Sequence, residues 1–304
     1  MTDTTVSADM ADAFVPVAPP TLRGRQWLQI LRGSLGFGRT RLGLGIVAVL
    51  VLVALVGPLF APHTPTEFVG APNAAPSVDA VFGADSLGRD VLSRFLHGGT
   101  SVLWLSVLST ALGVVAGVGI GLIAAYARGV VDEILMRLTD VLLAFPQIVF
   151  ALLLVSVIGP KLWLLVLAVG LSHAPRVARV MRGSALQVID SEFVQAAEAV
   201  GERRHRIVFG EVLLNVTSPL MVEVGLRFTY SIGLIAALSF LGFGLQPPAA
   251  DWGLMVNENR LDITTQPWAV VLPIAAIGLL TVGTNLITDG IARAAIGLNR
   301  SART

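Results

Sequence analysis

Cysteine is absent from this 304-residue chain, which excludes a disulfide framework, a thiolate metal site and a catalytic thiol. Lysine occurs only as Lys161, preceded by Gly159-Pro160 and followed by leucine. No G-x-x-x-x-G-K-[ST] phosphate loop therefore exists anywhere in the chain, so it is not itself an ATPase of that kind. His63, His97, His173 and His205 are scattered, with no H-E-x-x-H pair to hold zinc, and there is no G-x-S-x-G nucleophile turn. Neither a metal nor a cofactor is expected on this chain, and no catalytic residue is assigned. Charge is scarce as well: charged residues are 13% of the total, where an average soluble domain has roughly a quarter.

Apolar residues fill the space that charge leaves. They are 54% of the chain, and the mean hydropathy is +0.78, the composition of an integral membrane protein. Residues 1–22 carry Asp3, Asp9 and Asp12 with three prolines and no periodicity, which predicts a disordered tail, and arginines cluster from Arg23 to Arg41. Leu42 to Ala61 is an uncharged run long enough, at about 1.5 Å per residue, for one crossing. Its apolar core exceeds the roughly 7 to 15 residues of a signal peptide and no A-x-A site follows, so it is expected to be an uncleaved first span.

Further uncharged runs cover Gly98–Ala127, Val141–Pro160, Phe228–Ala250 and Ile263–Thr288, whereas Leu162–Pro175 is short for a span. If it crosses, the chain has six spans, and both termini share one side with the arginine-rich segment 182–219 and most of the basic residues. If it does not, that segment's arginines fall outside, against the positive-inside tendency. The reading is thus an all-α membrane protein of six transmembrane helices with cytoplasmic termini, its fourth helix extending past Pro175 into water. The expected division is a cytoplasmic tail 1–41, a membrane domain 42–290 and a cytoplasmic tail 291–304. Extracytoplasmic segments fall at 62–101 and 246–268, and a cytoplasmic loop at 176–218.

Within that loop, Phe193, Ala196, Ala197 and Val200 recur at helical spacing. Asp190 can cap this helix at its start, and Gly201 suits its left-handed end. A second helix over roughly Glu202–Leu213 then starts in a new direction. Arg203, Arg204 and Arg206 could in principle meet nucleic acid, but on a short loop between spans a solvated positive-inside segment is the better reading, and no nucleic-acid partner is expected.

Two features concern the membrane interior. Gly113, Gly117 and Gly121 lie four residues apart on one helix face, which allows close backbone approach, with packing inside one subunit preferred over a subunit interface. Asp140, His173, Glu223 and Arg227 lie in or at the edge of spans, where charge facing lipid is costly. Glu223 and Arg227 can pair at i,i+4. A substrate path involving Asp140, Pro146, Glu223 and Arg227 and a purely structural ion pair are equally open on sequence.

Three ordered segments resemble one family. The stretch Glu192, Gln195, Ala196, Ala197, Gly201, Arg203 and Arg204 resembles the E-A-A-x-x-x-G loop that docks ABC importer permeases on a separate ATPase. Phe82-Gly83-Ala84-Asp85-Ser86-Leu87-Gly88-Arg89-Asp90-Val91-Leu92-Ser93-Arg94, and Phe240-Leu241-Gly242-Phe243-Gly244-Leu245-Gln246-Pro247-Pro248 leading to Asp251-Trp252-Gly253, resemble signatures of the second permease subunit of dipeptide, oligopeptide and nickel importers. The resemblance covers roughly residues 23–290. It implies a permease of the type I importer kind in a bacterial cytoplasmic membrane. The implied partners are a homologous permease, two ATPase subunits holding ATP and magnesium, and an extracytoplasmic solute-binding protein, with a peptide substrate favoured over a nickel chelate or other small solute.

It also implies alternating access driven by the ATPases, with no covalent chemistry on this chain. Asp85, Gly88, Arg89, Asp90, Asp251, Trp252 and Gly253 then lie on the outer face, either pinning loops or meeting the binding protein. The sequence departs from the family at Gln195, where the motif has glutamate, and at Leu214, where H-x-L-P-N has proline; losing that proline removes a kink and restores a backbone donor. A secondary transporter is less favoured, since no internal inverted repeat is visible.

Overall fold

The computed structural model describes residues 26–301, all of the regular structure being helical. The tail expected over residues 1–22 lies outside the described residues. Helix α1 (Gln26–Ser34) precedes α2 (Gly38–Val56), which tightens into a 3₁₀ turn, Gly57–Phe60. Next come α3 (Val91–Ala127), α4 (Gly129–Leu143), α5 (Gln147–Ile158), α6 (Leu162–Ile189) and α7 (Glu192–Ala199). A second surface helix is assembled from α8 (Arg204–Arg206), a π-helical turn (Ile207–Val212) and α9 (Leu213–Asn215), and the chain ends with α10 (Thr217–Phe240), α11 (Trp252–Asn259) and α12 (Trp268–Ser301).

Among the described residues, five helices are long and apolar enough to cross a membrane. The pair α4 and α5, bent by 86°, makes a sixth if it is one broken span. The expected third span, Val141–Pro160, is therefore interrupted. Pro146 has no N–H to continue a helical ladder and holds Phe145 away from helical geometry; α5 restarts after it, while α4 begins back at Gly129. The Leu162 run does become a long helix, continuing past Pro175 to Ile189 as expected, so residues 176–189 are helical and continuous with the fourth span.

Other boundaries move for identifiable reasons. Asp90 caps α3 by accepting from the Ser93 N–H at 2.9 Å, so the helix starts seven residues before the uncharged run and takes Arg94 and His97 with it. The expected fifth span, Phe228–Ala250, is instead Thr217–Phe240. Its early turns accommodate Glu223 and Arg227 by pairing them, and its end is set by Gly242, with φ +85°, rather than by Pro247-Pro248. There the Gly242 N–H reaches the Ser239 carbonyl at 3.0 Å and the Phe243 N–H the Leu238 carbonyl at 2.9 Å, a complete Schellman closure. The last span continues as helix through Ser301, so the helix does not stop where a tail was expected at 291.

The centre of the bundle is the α3–α6 contact. Gly113, Gly117 and Gly121 are buried against Gly170, Ala174 and Ala178, so that a Cβ on Gly117 would sit 2.7 Å from the Ala174 carbonyl oxygen and 2.5 Å from Val177 Cβ. The small-residue face is thus used inside the subunit, as read from sequence. Helices α2, α10 and α12 complete the bundle, with Leu50, Val102, Ile232, Trp252 and Leu280 forming one core cluster and Leu105, Val155, Leu165, Ile235 and Leu238 another.

Candidate functional site

The loop between α6 and α10 folds as a helix pair standing off the bundle. Ser191, not Asp190, occupies the N-terminal flank of α7. Asp190 ends α6 and forms an ion pair with Arg128, because the α3–α4 corner brings that arginine alongside. Helix α7 ends as the sequence predicts. Gly201 has φ +82°, its N–H bonds to the Glu198 carbonyl and the Glu202 N–H to the Ala197 carbonyl, each at 3.0 Å.

The apolar stripe is rotated from the expected one. Val194 is the buried contact, joining Ile207, Val212 and the ends of α3 and α6, with Ala197 partly buried behind it. Val200 is 86% exposed, and Phe193 and Ala196 are exposed too. The turn at Gly201 decides the rotation, because it sets which side of α7 meets the following helix. That helix runs from Arg204 to Asn215 and so starts and ends later than Glu202–Leu213. Leu214 does not make a straight re-entry: the chain still breaks at Val216, with φ −102° and ψ 16°.

Between the two helices lies an open groove of about 810 Å³, lined by Ala196, Ala197, Val200, His205, Phe209 and Gly210 among others. Phe209 is 63% exposed at its edge. Glu192, Gln195, Arg203 and Arg204 are all exposed on the same module, and Gln195 donates to the Asp190 carbonyl at 3.3 Å. Two polar contacts that sequence reasoning missed lie here: Tyr126 donates to Glu198 at 2.8 Å and ties the module to α3, and Arg128 pairs with Asp190 where α6 ends beside the module. Both join partners more than sixty residues apart, so no local pattern signals them.

At the other end of the bundle the two long motifs meet. Asp85 accepts from the backbone N–H groups of Leu87 and Arg89, each at 2.9 Å, and pairs with Arg89 Nε at 2.8 Å; Gly88, with φ +87°, makes that turn possible. Arg89 and Arg94 both donate to Glu258, at 2.9 and 2.7 Å. Trp252 stacks on Phe95 with ring centroids 5.6 Å apart and donates to the Phe95 carbonyl at 2.9 Å, while Gly253 fits against Ala236 and Ser239 of α10.

Asp251 caps α11 by accepting from the Leu254 N–H at 3.0 Å and also accepts from Ser101 Oγ. Burial pushes its carboxyl above the usual aspartate range. Asp85, Arg89, Asp90, Asp251, Trp252 and Gly253 are all buried. The motifs therefore pin the outer segments to the bundle, and part of each is helical rather than loop: Val91 begins α3 and Trp252 begins α11. Glu258 and Gln266, which donates to the Ala74 and Ala84 carbonyls at 3.0 and 3.2 Å, complete this clasp and carry no sequence signal of their own.

The intramembrane groups separate into two sites. Asp140 pairs with Arg179 at the α4–α6 contact, and Pro146 stands at the break in the third span. Glu223 and Arg227 do pair, at 3.0 Å and almost wholly buried, with Arg227 packed 5.3 Å from the Tyr230 ring. The approach is off the N–H axis, so the contact is ionic without being a hydrogen bond. His173 is fully buried, with Nε2 3.0 Å from Ser231 Oγ and Nδ1 3.3 Å from Gln147 Nε2, which joins α5, α6 and α10.

The helices from the second half of α3 through α12, with the glycine-terminated helix pair between α6 and α10, are matched by the family profile of the binding-protein-dependent transport system inner membrane component, over residues 117–296. The chain belongs to this family. A second profile, the N-terminal TM domain of oligopeptide transport permease C, matches residues 41–76 of this permease. Among its relatives is the dipeptide transport system permease protein DppC of Alkalihalophilus pseudofirmus, 33% identical with 82% of each chain covered. A putative peptide transport system permease of Brucella suis is 35% identical over 83% of this chain and 85% of that one. The glutathione transport system permease protein GsiD of Escherichia coli is 36% identical over 81% and 82%. Among solved structures, the MetNI methionine ABC transporter in inward facing conformations aligns with a TM-score of 0.49 at 17% identity, covering 65% of this chain and 96% of that chain.

Proposed function

We propose that this permease carries di- or oligopeptides inward as half of the translocation path of an ATP-driven importer. Its partners in this reading are a homologous permease, two ATPase subunits that hold ATP and magnesium, and an extracytoplasmic solute-binding protein. Both termini and the α7–α9 module face the cytoplasm of a bacterium, and no covalent chemistry takes place on this chain. The relatives' names, which specify dipeptide, peptide and glutathione transport, support the substrate class.

One observation carries the coupling role. The helix pair leaves Ala196, Val200 and Phe209 exposed around an open groove, yet it is held to the end of α3 by Tyr126–Glu198 and to the ends of α3 and α6 through buried Val194, with Arg128–Asp190 bracing the end of α6 beside it. An exposed apolar patch rimmed by charged side chains marks a docking surface. Its polar ties give a route by which a push on α7 is delivered to the two helices packed through their glycines. Glu192, Gln195, Arg203 and Arg204 form the polar rim of that surface, and Gly201 sets the angle between its helices.

Gly201→Asp tests this role directly. A left-handed backbone costs a non-glycine residue about 1 kcal/mol or more, and the Cβ position at Gly201 is otherwise open, so the fold should survive while the pair reorients. Ala196→Trp fills the groove without touching the bundle. Both variants are expected to reach the membrane at normal levels and to lose at least tenfold in ATPase copurification and in uptake. Full ATPase recovery by both would remove the coupling assignment, and sustained ATP turnover by the isolated chain would overturn the division of labour.

A further inference from the structure

Helix α6 carries Arg176, Arg179 and Arg182 three residues apart, adjacent positions along a helical surface. Two of these arginines are matched on α4: Arg182 pairs with Asp132 and Arg179 with Asp140. Seven residues beyond Asp140, Gln147 donates to the Ser172 carbonyl at 3.1 Å and meets His173. Interpolating between Asp140 opposite Arg179 and Gln147 opposite Ser172–His173 places Arg176 opposite Leu143–Ala144, at the edge of the break. No acid stands there, and among the described residues Arg176 makes no ion pair or hydrogen bond.

A second observation comes from α10. Arg227 is buried, yet its Nη1 has no hydrogen-bond partner; Glu223 neutralises it on one side and Tyr230 lies alongside. Arg176 lies one helical turn beyond His173 on α6, and Ser231, which meets His173 at 3.0 Å, lies one turn beyond Arg227 on α10, so both arginines border one neighbourhood. With Glu223 counted, that neighbourhood holds one positive charge in excess. An uncompensated charge at membrane depth is costly unless it faces a water-filled cavity or meets an opposite charge. Ala144, Phe145 and Pro146, beside Arg176, are exposed where the span bends by 86°.

We infer that Arg176 and Arg227 form a receiving point for the carboxylate of a solute in transit, beside the break in the third span. The inference rests on the importer reading and deepens it: the cargo is a solute with at least one free carboxylate, held by charge while the α4–α5 break moves. Guanidinium suits this role because it stays charged and presents a planar fork that a carboxylate can meet with two parallel bonds. Transient binding requires that the site not be fully neutralised at rest, and Arg176 supplies that unmatched charge. The same anion chemistry could come from a lipid phosphate, which the test separates.

The native absence of cysteine makes Phe145→Cys a single reporter at the break. In the assembled transporter, in nanodiscs of zwitterionic lipid, its reaction with an anionic methanethiosulfonate should outpace that with a cationic one of similar size. Adding Arg176→Gln should lower the anionic-to-cationic rate ratio at least fivefold. Arg176 is exposed, so this variant folds where Arg227→Gln could fail. Glycylglycine should slow labelling in the Arg176 background and glycylglycine amide should not. A ratio unchanged by Arg176→Gln overturns the site. Slowing by phosphatidylglycerol but not by glycylglycine assigns the arginines to lipid and overturns the solute proposal. An intact, peptide-sensitive ratio supports it; peptide uptake absent despite an intact ratio overturns the importer reading, and the solute assignment with it.

Discussion

Buried charge shows how little of a residue's role is visible at its own position. Glu223 and Arg227 sit one helical turn apart in a segment that the uncharged run beginning at Phe228 leaves outside the fifth span, and the fold buries both. Removing one partner of such a pair leaves an uncompensated charge, at a cost of about 3–5 kcal/mol, whereas replacing both with apolar residues of similar volume is often close to neutral. Glu223→Gln or Arg227→Met alone is therefore expected to lower the thermal stability of the purified permease far more than the pair Glu223→Leu with Arg227→Met. Additive losses in a double-mutant cycle, read by thermal unfolding in detergent, would show that the two do not act together. Uptake by the double variant separates stability from transport: a stable but transport-dead protein places the pair on the path.

Elements are set by close backbone approach on one face of α3. At Gly117 an added Cβ meets the Ala174 carbonyl at 2.7 Å and Val177 Cβ at 2.5 Å, neither of which is the free end of a flexible side chain, while at Gly119, two residues on, nothing lies within 4 Å. Gly117→Ala must push α3 and α6 apart, an overpacking cost of about 1–3 kcal/mol. Gly119→Ala only removes glycine's helix penalty, a gain of about 0.5–1 kcal/mol. The expected outcome is a lower melting temperature for Gly117→Ala and an equal or higher one for Gly119→Ala, measured by fluorescence-detected size exclusion after heating. Equal effects would mean that this face does not carry the bundle. Because α6 continues from this contact to the helix pair, the same packing is what lets movement of α7 reach the membrane interior.

For the whole molecule the governing quantity is the distribution of arginine. With six crossings, the α7–α9 module and the end of α12 lie on one side and the Asp85–Glu258 clasp on the other. Topology reporters fused after residues 130, 200 and 298 are expected to read cytoplasmic, and those after residues 75 and 258 external. An external signal at residue 200 would mean that α4 and α5 do not form one broken span, since removing that crossing inverts everything that follows it.

Membrane class, the order of the long apolar helices, the glycine face of α3 and the glycine stop of α7 were all determined by the sequence. Each depends on local composition or on periodicity within one helix, and the lipid environment leaves few alternatives for a long apolar run. The shape of the third span was only half legible: Pro146 announces a break, but the 86° bend is set by what α4 and α5 pack against on α6. Which face of α7 is buried, that Arg89 and Arg94 close on Glu258, that Tyr126 holds Glu198, and that Arg176 alone of three arginines lacks an acid were decided by tertiary structure. Those outcomes depend on pairs of residues far apart in the chain, and the free energy of such a contact exists only once packing has brought both partners out of water to the same place.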